Sequence, residues 1–409
     1  MSHAFTDQGR EVLERVNSFM DDFIYPAEEE YYEQQSQLDD PHGTPAIMDK
    51  LKAAAHERGL WNLFIPHLDP DAPGTKLSNL DYAPISEQLG KVRFASEAMN
   101  SSAPDTGNME ILNLYASDRV REKFLAPLLE GEIRSAFSMT EPDVASSDAS
   151  NIELSITRDG NDYVLNGKKW FSSNALRPEC KVLIVMGKNN PDAARHRQQS
   201  MIVVPRDAEG ITVGRDPLVF GYHDRGGHPE LIYNNVRVPE DHILGGEGEG
   251  FAISQARLGP GRIHHTMRSI GVAERALELM VKRAVERETF GRLVAQNSLI
   301  QDWIAESRIE IDQARQYVLH VAHLMDTVGN KAAAQEISGI KVAIPNMALK
   351  VIDRAIQVHG AAGVTQFTPL AHMWAHMRTL RIADGPDEVH KMTIARREIR
   401  RHMPEFKMR

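Results

Sequence analysis

A seven-residue beat near the C-terminus constrains this chain more than any other feature. Ile304, Ile311, Ala314, Val318, Val321 and Met325 fall at alternating heptad positions, and Ile337, Ile344, Val351 and Val358 repeat the pattern on the next segment. An apolar seam with this spacing has to be buried against other helices. The stretch therefore predicts long helices joined by short loops into an antiparallel bundle. Pro345 interrupts the second segment and is expected to kink it, because proline removes an amide donor and crowds the preceding turn.

Upstream the texture changes twice. Residues 8 to about 135 read as helical, with Val12, Val16, Phe19 and Phe23 at three- and four-residue steps and Pro26 closing that run. Residues 51–59 end at Gly59, as a helix C-terminus often does, and the Pro/Asp/Gly-rich piece 66–74 reads as a loop. From about residue 136 the period becomes two: Ile152, Leu154 and Ile156 alternate with polar neighbours. Asp159-Gly160-Asn161 marks a turn, and Tyr163-Val164-Leu165 runs into Asn166-Gly167, the best short-range hairpin signal available. Further strands are expected at 181–187, 200–205, 211–214 and 230–238. The glycine-rich stretch 245–250 reads as a hinge, since it lacks the strand-turn-helix context of a dinucleotide fingerprint and has no Gly-Lys-Ser/Thr. The expected organisation is a helical domain over 1–135, a β domain over 136–245 and a helix bundle over 246–409.

Charge and cysteine content narrow the function classes. A net charge of −10 argues against a general nucleic-acid binder, which needs clustered Lys and Arg to neutralise phosphates. No apolar run approaches the roughly 20 residues that span a bilayer, so no membrane span is expected. Met1-Ser2-His3-Ala4 leads into neither a secretory signal nor an Arg-rich transit peptide, and the expected compartment is the cytoplasm. Cys180 is the only cysteine, which rules out an intrachain disulfide and argues against a Cys-based metal cage. His372 and His376 stand four apart and His320 and His323 three apart, but the Glu that a zincin needs after its first His is replaced by Met373. Surface histidines on helices are the simpler account, and no metal site is expected.

Four segments carry chemistry. Asp384 stands just before a Gly385-Pro386 turn that opens an amphipathic helix. Asp before Gly-Pro is usually turn and N-cap chemistry. The same placement can hold a carboxylate rigidly at a pocket edge, where burial turns it into a base for a weakly acidic proton. Residues 137–148 offer hydroxyls and amides in a turn-rich loop at the entry to the β domain. Lys169-Trp170-Phe171-Ser172-Ser173-Asn174 puts aromatics before hydroxyls at a strand end, and Arg287-Glu288-Thr289-Phe290-Gly291 sits in the bundle. Together these suit a flat heteroaromatic ligand carrying phosphates: aromatics stack on its ring, hydroxyls and amides bind its polar edge, and an Arg meets the pyrophosphate.

In this order and spacing the segments resemble the acyl-CoA dehydrogenase family of flavoproteins, along essentially the whole chain. Thr140, Glu141, Pro142 and Ser146 match its Thr-Glu-Pro-x-x-x-Ser motif, and Arg287, Thr289, Phe290 and Gly291 its Arg-x-Thr-Phe-Gly. Gln357, Gly360 and Gly363 match Gln-x-x-Gly-x-x-Gly, and Asp384-Gly385-Pro386-Asp387-Glu388 stands where the family has its catalytic acid, Gly, Thr, any residue and Gln. The resemblance implies a mainly α fold with a central β domain: an N-terminal α domain, a middle β-barrel and a C-terminal four-helix bundle.

It also implies FAD and roles by position. Phe137, Met139 and Thr140 would line the isoalloxazine, and Ser146 would contact the cofactor phosphates or the CoA end. Phe171 takes the place of the family's flavin-flanking Trp and Ser173 that of its Thr at N5. Arg287, Phe290, Gln357, Gly360 and Ala361 would grip the pyrophosphate and adenosine from a second subunit, so cofactor binding would demand a homodimer or homotetramer. Asp384 would remove the α-proton of an acyl-CoA thioester while hydride leaves Cβ for flavin N5, giving a 2-enoyl-CoA in fatty acid β-oxidation and lipid metabolism. Arg262 matches an Arg near the base in relatives, although an exposed helix Arg reads the same way. Electron-transferring flavoprotein is the implied acceptor.

The departures from the family pattern are specific. Asp is one methylene shorter than the usual Glu, setting the carboxylate about 1.5 Å further back. Pro386 and Glu388 replace the Thr and Gln that bond the cofactor in relatives. The string Ala383-Asp384-Gly385-Pro386-Asp387-Glu388-Val389-His390 resembles a branch whose animal members carry an extra kinase-like domain. That branch is associated with long or branched acyl-CoAs and with 4-hydroxyacyl-CoAs processed through a 4-phosphorylated intermediate. The sequence contains no kinase-like segment, so any kinase is expected to be a separate protein. Competing functions are phosphate elimination from a 4-phosphorylated acyl-CoA, a nitroalkane-oxidase-like flavoenzyme, and a non-catalytic helical scaffold.

Overall fold

In the computed structural model the heptad seam is buried, as its spacing predicts. The helix Ser298–Val328 buries Ile311, Ala314, Val318, Val321 and Met325, with Ile304 half-buried. The next helix, Ala334–His359, buries Ile337, Ile344 and Val351 and runs unbroken through Pro345. The structure describes residues 4–65, 68 and 72–406. The first three residues and much of the piece read as a loop at 66–74 lie outside the described residues.

The chain divides into two compact units, one of residues 1–22, 77–96 and 261–409, the other of residues 23–76 and 97–260. In the first unit the bundle comprises the helix Gly250–Glu286 from residue 261 onward, Ser298–Val328, Ala334–His359 and Asp387–His402, with the shorter Leu370–Thr379 before the last. Two helices from the N-terminal region join it. Asp7–Phe19 is tied to Asn79–Gly90 where Thr6 donates to Asp81 from both its amide and its hydroxyl, each at 2.8 Å. Asn79–Gly90 lies so close to the first bundle helix that a Cβ on Gly271 would run into the Glu87 carbonyl.

Arg287 to Gly291, placed in the bundle by sequence, form a hairpin between two bundle helices instead. Glu288–Thr289 pairs with Arg292–Leu293, and the turn residues Phe290 and Gly291 have φ of 51° and 74°. Positive φ at both central positions is the type I′ signature, normally written with Asn or Gly rather than Phe.

The second unit is built on a curled seven-stranded sheet: β1 (Arg134–Ser138), β2 (Ser155–Asp159), β3 (Asp162–Lys169), β4 (Cys180–Lys188), β5 (Gln199–Pro205), β6 (Ile211–Val213) and β7 (Leu231–Pro239). The order is β1-β4-β2-β3-β7-β6, with β5 on β4. One face encloses Leu165, Leu183, Val185, Ile202, Val204, Leu231 and Tyr233. From the other face Val182, Ile184, Met186, Met201 and Val203 pack with Met109, Leu112, Phe124 and Leu125 of the preceding helices. Burial on both faces explains why β4 and β5 read as continuous apolar runs.

The hairpin signal at Asn166-Gly167 is corrected by the structure. The β2–β3 turn is Gly160-Asn161, with Asp159 opposite Asp162, while Asn166 and Gly167 lie inside β3. The register against β7 shifts between Leu165 and Gly167, and a Cβ at Gly167, whose φ is 144°, would lie 2.8 Å from the Leu154 Cα. The glycine serves a bulge and a close backbone approach, not a turn.

Candidate active site

The β unit assembles one cluster of the residues expected at the site, at the ends of β1 and β3. The chain leaves β1 through half-buried Phe137 and buried Ser138, then turns at Met139 and Thr140. Lys169, the last residue of β3, is fully buried, and its Nζ donates to Glu141 Oε1 and to the Met139 carbonyl, both at 2.8 Å. Glu141 accepts from the Glu153 and Leu154 amides at 2.7 and 2.9 Å, so one buried ion pair staples the 139–146 loop to the sheet. Burial lowers the Lys169 ammonium to about 8 against the pull of Glu141. Thr140 Oγ1 donates to the Trp170 carbonyl at 2.8 Å, and the Trp170 amide donates to the Thr140 carbonyl at 3.0 Å. Ser146 Oγ accepts from the Glu141 amide at 2.8 Å and so braces this loop.

Phe171 and Ser173 continue from the same strand end. Phe171 has φ of 49° and is 42% exposed, its ring centroid 5.0 Å from that of Trp170. Ser173 Oγ lies 2.8 Å from His228 Nδ1, and His228 Nε2 lies 3.2 Å from Asp224 Oδ2. Behind Phe137, the Arg257 guanidinium stacks at 3.9 Å from the ring centroid and its Nε donates to Asn108 Oδ1 at 3.0 Å. Burial pushes the nearby Glu110 carboxyl up to about 7, opposed by Arg257. His228, Arg257 and Glu110 escaped sequence reasoning because nothing local marks them; only folding brings them beside residues 137 and 173.

The helical unit holds the acid. Asp384 and Gly385 have φ of 54° and 98°, and Pro386 caps the helix Asp387–His402. Asp and Asn are the non-glycine residues that best tolerate this left-handed region. Arg262 Nε donates to the Asp384 carbonyl at 3.1 Å, and His390 Nε2 lies 3.2 Å from the same oxygen. The Nζ of buried Lys341 donates to the Leu380 carbonyl and, at 3.4 Å, to that of Gly385. Arg381 Nε donates to buried Asp387 at 2.8 Å, closing the turn from its other side. The Asp384 side chain is 19% exposed, with Oδ2 3.3 Å from His265 Nε2. Burial lowers Lys341 to about 8 and His390 to about 4. Arg262, read by sequence as either a site residue or an exposed helix Arg, is half-buried against the Asp384 turn.

The other expected positions lie elsewhere on this unit. Phe290 is fully exposed at its hairpin tip, and Arg287, Gln357, Gly360, Ala361 and Glu388 are exposed too, while Pro386 is half-buried. Cys180 is buried in β4, which pushes its thiol up to about 12 and suits an inert core residue. Among the described residues no group of His, Cys, Asp and Glu could hold a metal ion, and no helix is long and apolar enough to cross a membrane.

Three family models match in order: the acyl-CoA dehydrogenase N-terminal domain over residues 6–132, the middle domain over 136–236 and the C-terminal domain over 248–399. The chain belongs to the acyl-CoA dehydrogenase family, a family of oxidoreductases. It is 53% identical over 398 residues to acyl-CoA dehydrogenase family member 11 of Gallus gallus, covering 96% of this chain and 50% of that protein. It thus spans half the length of that relative. With FadE2 of Mycobacterium tuberculosis, named a probable acyl-CoA dehydrogenase, it shares 52% identity over 409 residues and 99% of both chains. A solved structure from Mycobacterium abscessus, described as a candidate acyl-CoA dehydrogenase, superposes with a TM-score of 0.94 at 45% identity, covering 98% of this chain and 100% of that one.

Proposed function

We propose that this protein is an FAD-dependent acyl-CoA dehydrogenase in which Asp384 removes the α-proton of an acyl-CoA thioester. The observation that carries the reading is the fixed turn at residue 384: Arg262 and His390 hold its backbone carbonyl, and the shielded carboxylate projects from a left-handed residue. A base held this way loses little entropy in reaching its substrate, which is how positioning lowers a barrier.

The donor set of the β unit fits a flavin. Phe171 offers an exposed aromatic face, Thr140 has lone pairs that can accept from a ring N–H, and Ser173 sets a hydroxyl beside them. Phe137 and Met139 would line the same ring, and Ser146 supports the reading by bracing their loop. FAD when bound supplies the acceptor for hydride leaving Cβ. The chain itself orients the thioester, takes its α-proton onto the Asp384 carboxylate, and stabilises the developing oxygen charge with the backbone N–H of residue 384. That amide is retained whichever acid stands there. Arg287, Phe290, Gln357, Gly360 and Ala361 are exposed, in keeping with a role on the cofactor of a second subunit in a homodimer or homotetramer. Exposed Glu388 and half-buried Pro386 would keep family cofactor contacts only in altered form. Electron-transferring flavoprotein is the proposed electron acceptor.

One observation favours a second reading, phosphate elimination from a 4-phosphorylated acyl-CoA. Arg262, Arg268 and Lys341 concentrate positive charge in the neighbourhood of Asp384, which suits an anionic group on the acyl chain. Anaerobic mixing with a panel of acyl-CoAs, reading flavin absorbance and free phosphate together, separates the two. Lasting bleaching marks the dehydrogenase, and phosphate release without lasting bleaching marks elimination. Neither signal with any thioester overturns both.

A further inference from the structure

We infer that His265 is a positioning residue of the Asp384 carboxylate: through its Nε2–H it holds one carboxylate oxygen and so helps set the direction in which the group faces the substrate. The inference rests on the reading of Asp384 as the base and adds to it a residue that no family motif marks. His265 and Asp384 are far apart in sequence, one on the helix Gly250–Glu286 and the other in the turn before Asp387–His402. Folding brings Nε2 of the first to 3.3 Å from Oδ2 of the second.

The direction of that hydrogen bond follows from the third member of the chain. Arg268, one helical turn on from His265, places NH2 3.3 Å from His265 Nδ1. A guanidinium can only donate, so Nδ1 must be the accepting nitrogen. Burial holds the His265 ring below its usual range, which leaves a neutral imidazole with a single N–H at neutral pH. That hydrogen is therefore on Nε2, facing the carboxylate. Arg268 sets the tautomer, His265 transmits it, and Asp384 receives a directed donor.

The arrangement answers the missing methylene. A carboxylate set back by about 1.5 Å cannot rely on the reach of a Glu side chain, so its residual freedom has to be removed by something else. Gly261 lies against this carboxylate: a Cβ there would come into ordinary contact with Asp384 Oδ2 at 3.6 Å. His265 braces the same oxygen at 3.3 Å. Among the described residues, titratable and charged groups around the pair include Arg262, His264 and Arg268 on the same helix, Tyr82 from Asn79–Gly90, Lys341 from Ala334–His359 and His390 from Asp387–His402.

The test uses FAD-loaded enzyme and a 3-thia-acyl-CoA, which can lose its α-proton but is not oxidised. Exchange of that proton with D2O is followed by NMR against pH in the parent, His265→Leu, His265→Asn and His265→Gln. Gln can return a donor near the Nε2 position, whereas Leu has none and Asn is too short. Leu and Asn are expected to slow exchange at saturating ligand by about 10- to 100-fold, the scale of a misplaced reacting group. They should also move the acidic limb to higher pH with ligand affinity unchanged, while Gln stays within a few-fold of the parent. FAD content and melting temperature identify any variant that fails to fold, and either losing variant suffices. Exchange in Leu and Asn equal to that of a fully active parent overturns the inference alone. No exchange in the parent overturns the assignment of Asp384 as base, and the inference with it.

Discussion

Replacing Lys169 by Met tests whether the buried ion pair holds the 139–146 loop in place. Met keeps the aliphatic stem and removes the charge. The Lys169 side chain is 0% exposed and that of Glu141 4%, so water cannot reach the carboxylate left behind. Two amides, of Glu153 and Leu154, would remain on it, and the Met139 carbonyl would lose its donor. Breaking a buried pair from one side costs about 3–5 kcal/mol, a large part of the roughly 5–15 kcal/mol that keeps a domain folded. Chemical denaturation followed by circular dichroism should show Lys169→Met unfolding at a lower denaturant midpoint with unchanged slope. Because the loop carries Met139 and Thr140, purified Lys169→Met should also retain less FAD. Glu141→Gln should be destabilising as well, but the double variant, with neither charge left unpaired, should be more stable than the two single losses added together. A loss under about 1 kcal/mol, below the range for a broken buried pair, or strict additivity in the double variant, would refute the reasoning.

Two further outcomes follow from other parts of the fold. Phe290→Asn places a residue tolerant of positive φ at an exposed hairpin tip, so the melting temperature should stay level or rise while FAD retention and oligomer mass by light scattering fall; unchanged FAD content would count against a role for this ring across subunits. His390 is held down to about 4, first by burial and then by Arg262 and Lys341, against an ordinary value of 6.5. Between those values the unfolded chain binds the proton that the folded chain refuses, so stability should fall as pH drops from 6.5 toward 4. His390→Gln should show a shallower loss across the same window, and an equal slope would refute the assignment.

What could be read from sequence was whatever is encoded locally. The bundle seam was legible because each long helix buries a single stripe, and a stripe leaves a period. Asp384 was legible because it stands just before a Gly-Pro turn that opens a helix, at the place of the family's catalytic acid. The Asn166-Gly167 signal misled, since a strong local turn preference gave way to the need for backbone contact with Leu154. The Phe290-Gly291 hairpin was invisible because Phe has no propensity for φ near 51°. His265, Arg268 and Lys341 were missed for a different reason: their relation to the Asp384 turn exists only after helices far apart in sequence have packed. The helix Asn79–Gly90 packs with the bundle rather than with the residues beside it in sequence, and its texture does not announce this.

The most direct test of the central claim is the rate of anaerobic flavin bleaching by the best acyl-CoA in Asp384→Asn. Asn has nearly the same shape and equal tolerance of φ 54°, so the turn, the FAD and the backbone amide should all survive. Near-complete loss of bleaching with full FAD content is the predicted result. Bleaching at a substantial fraction of the parent rate would place the base on another residue.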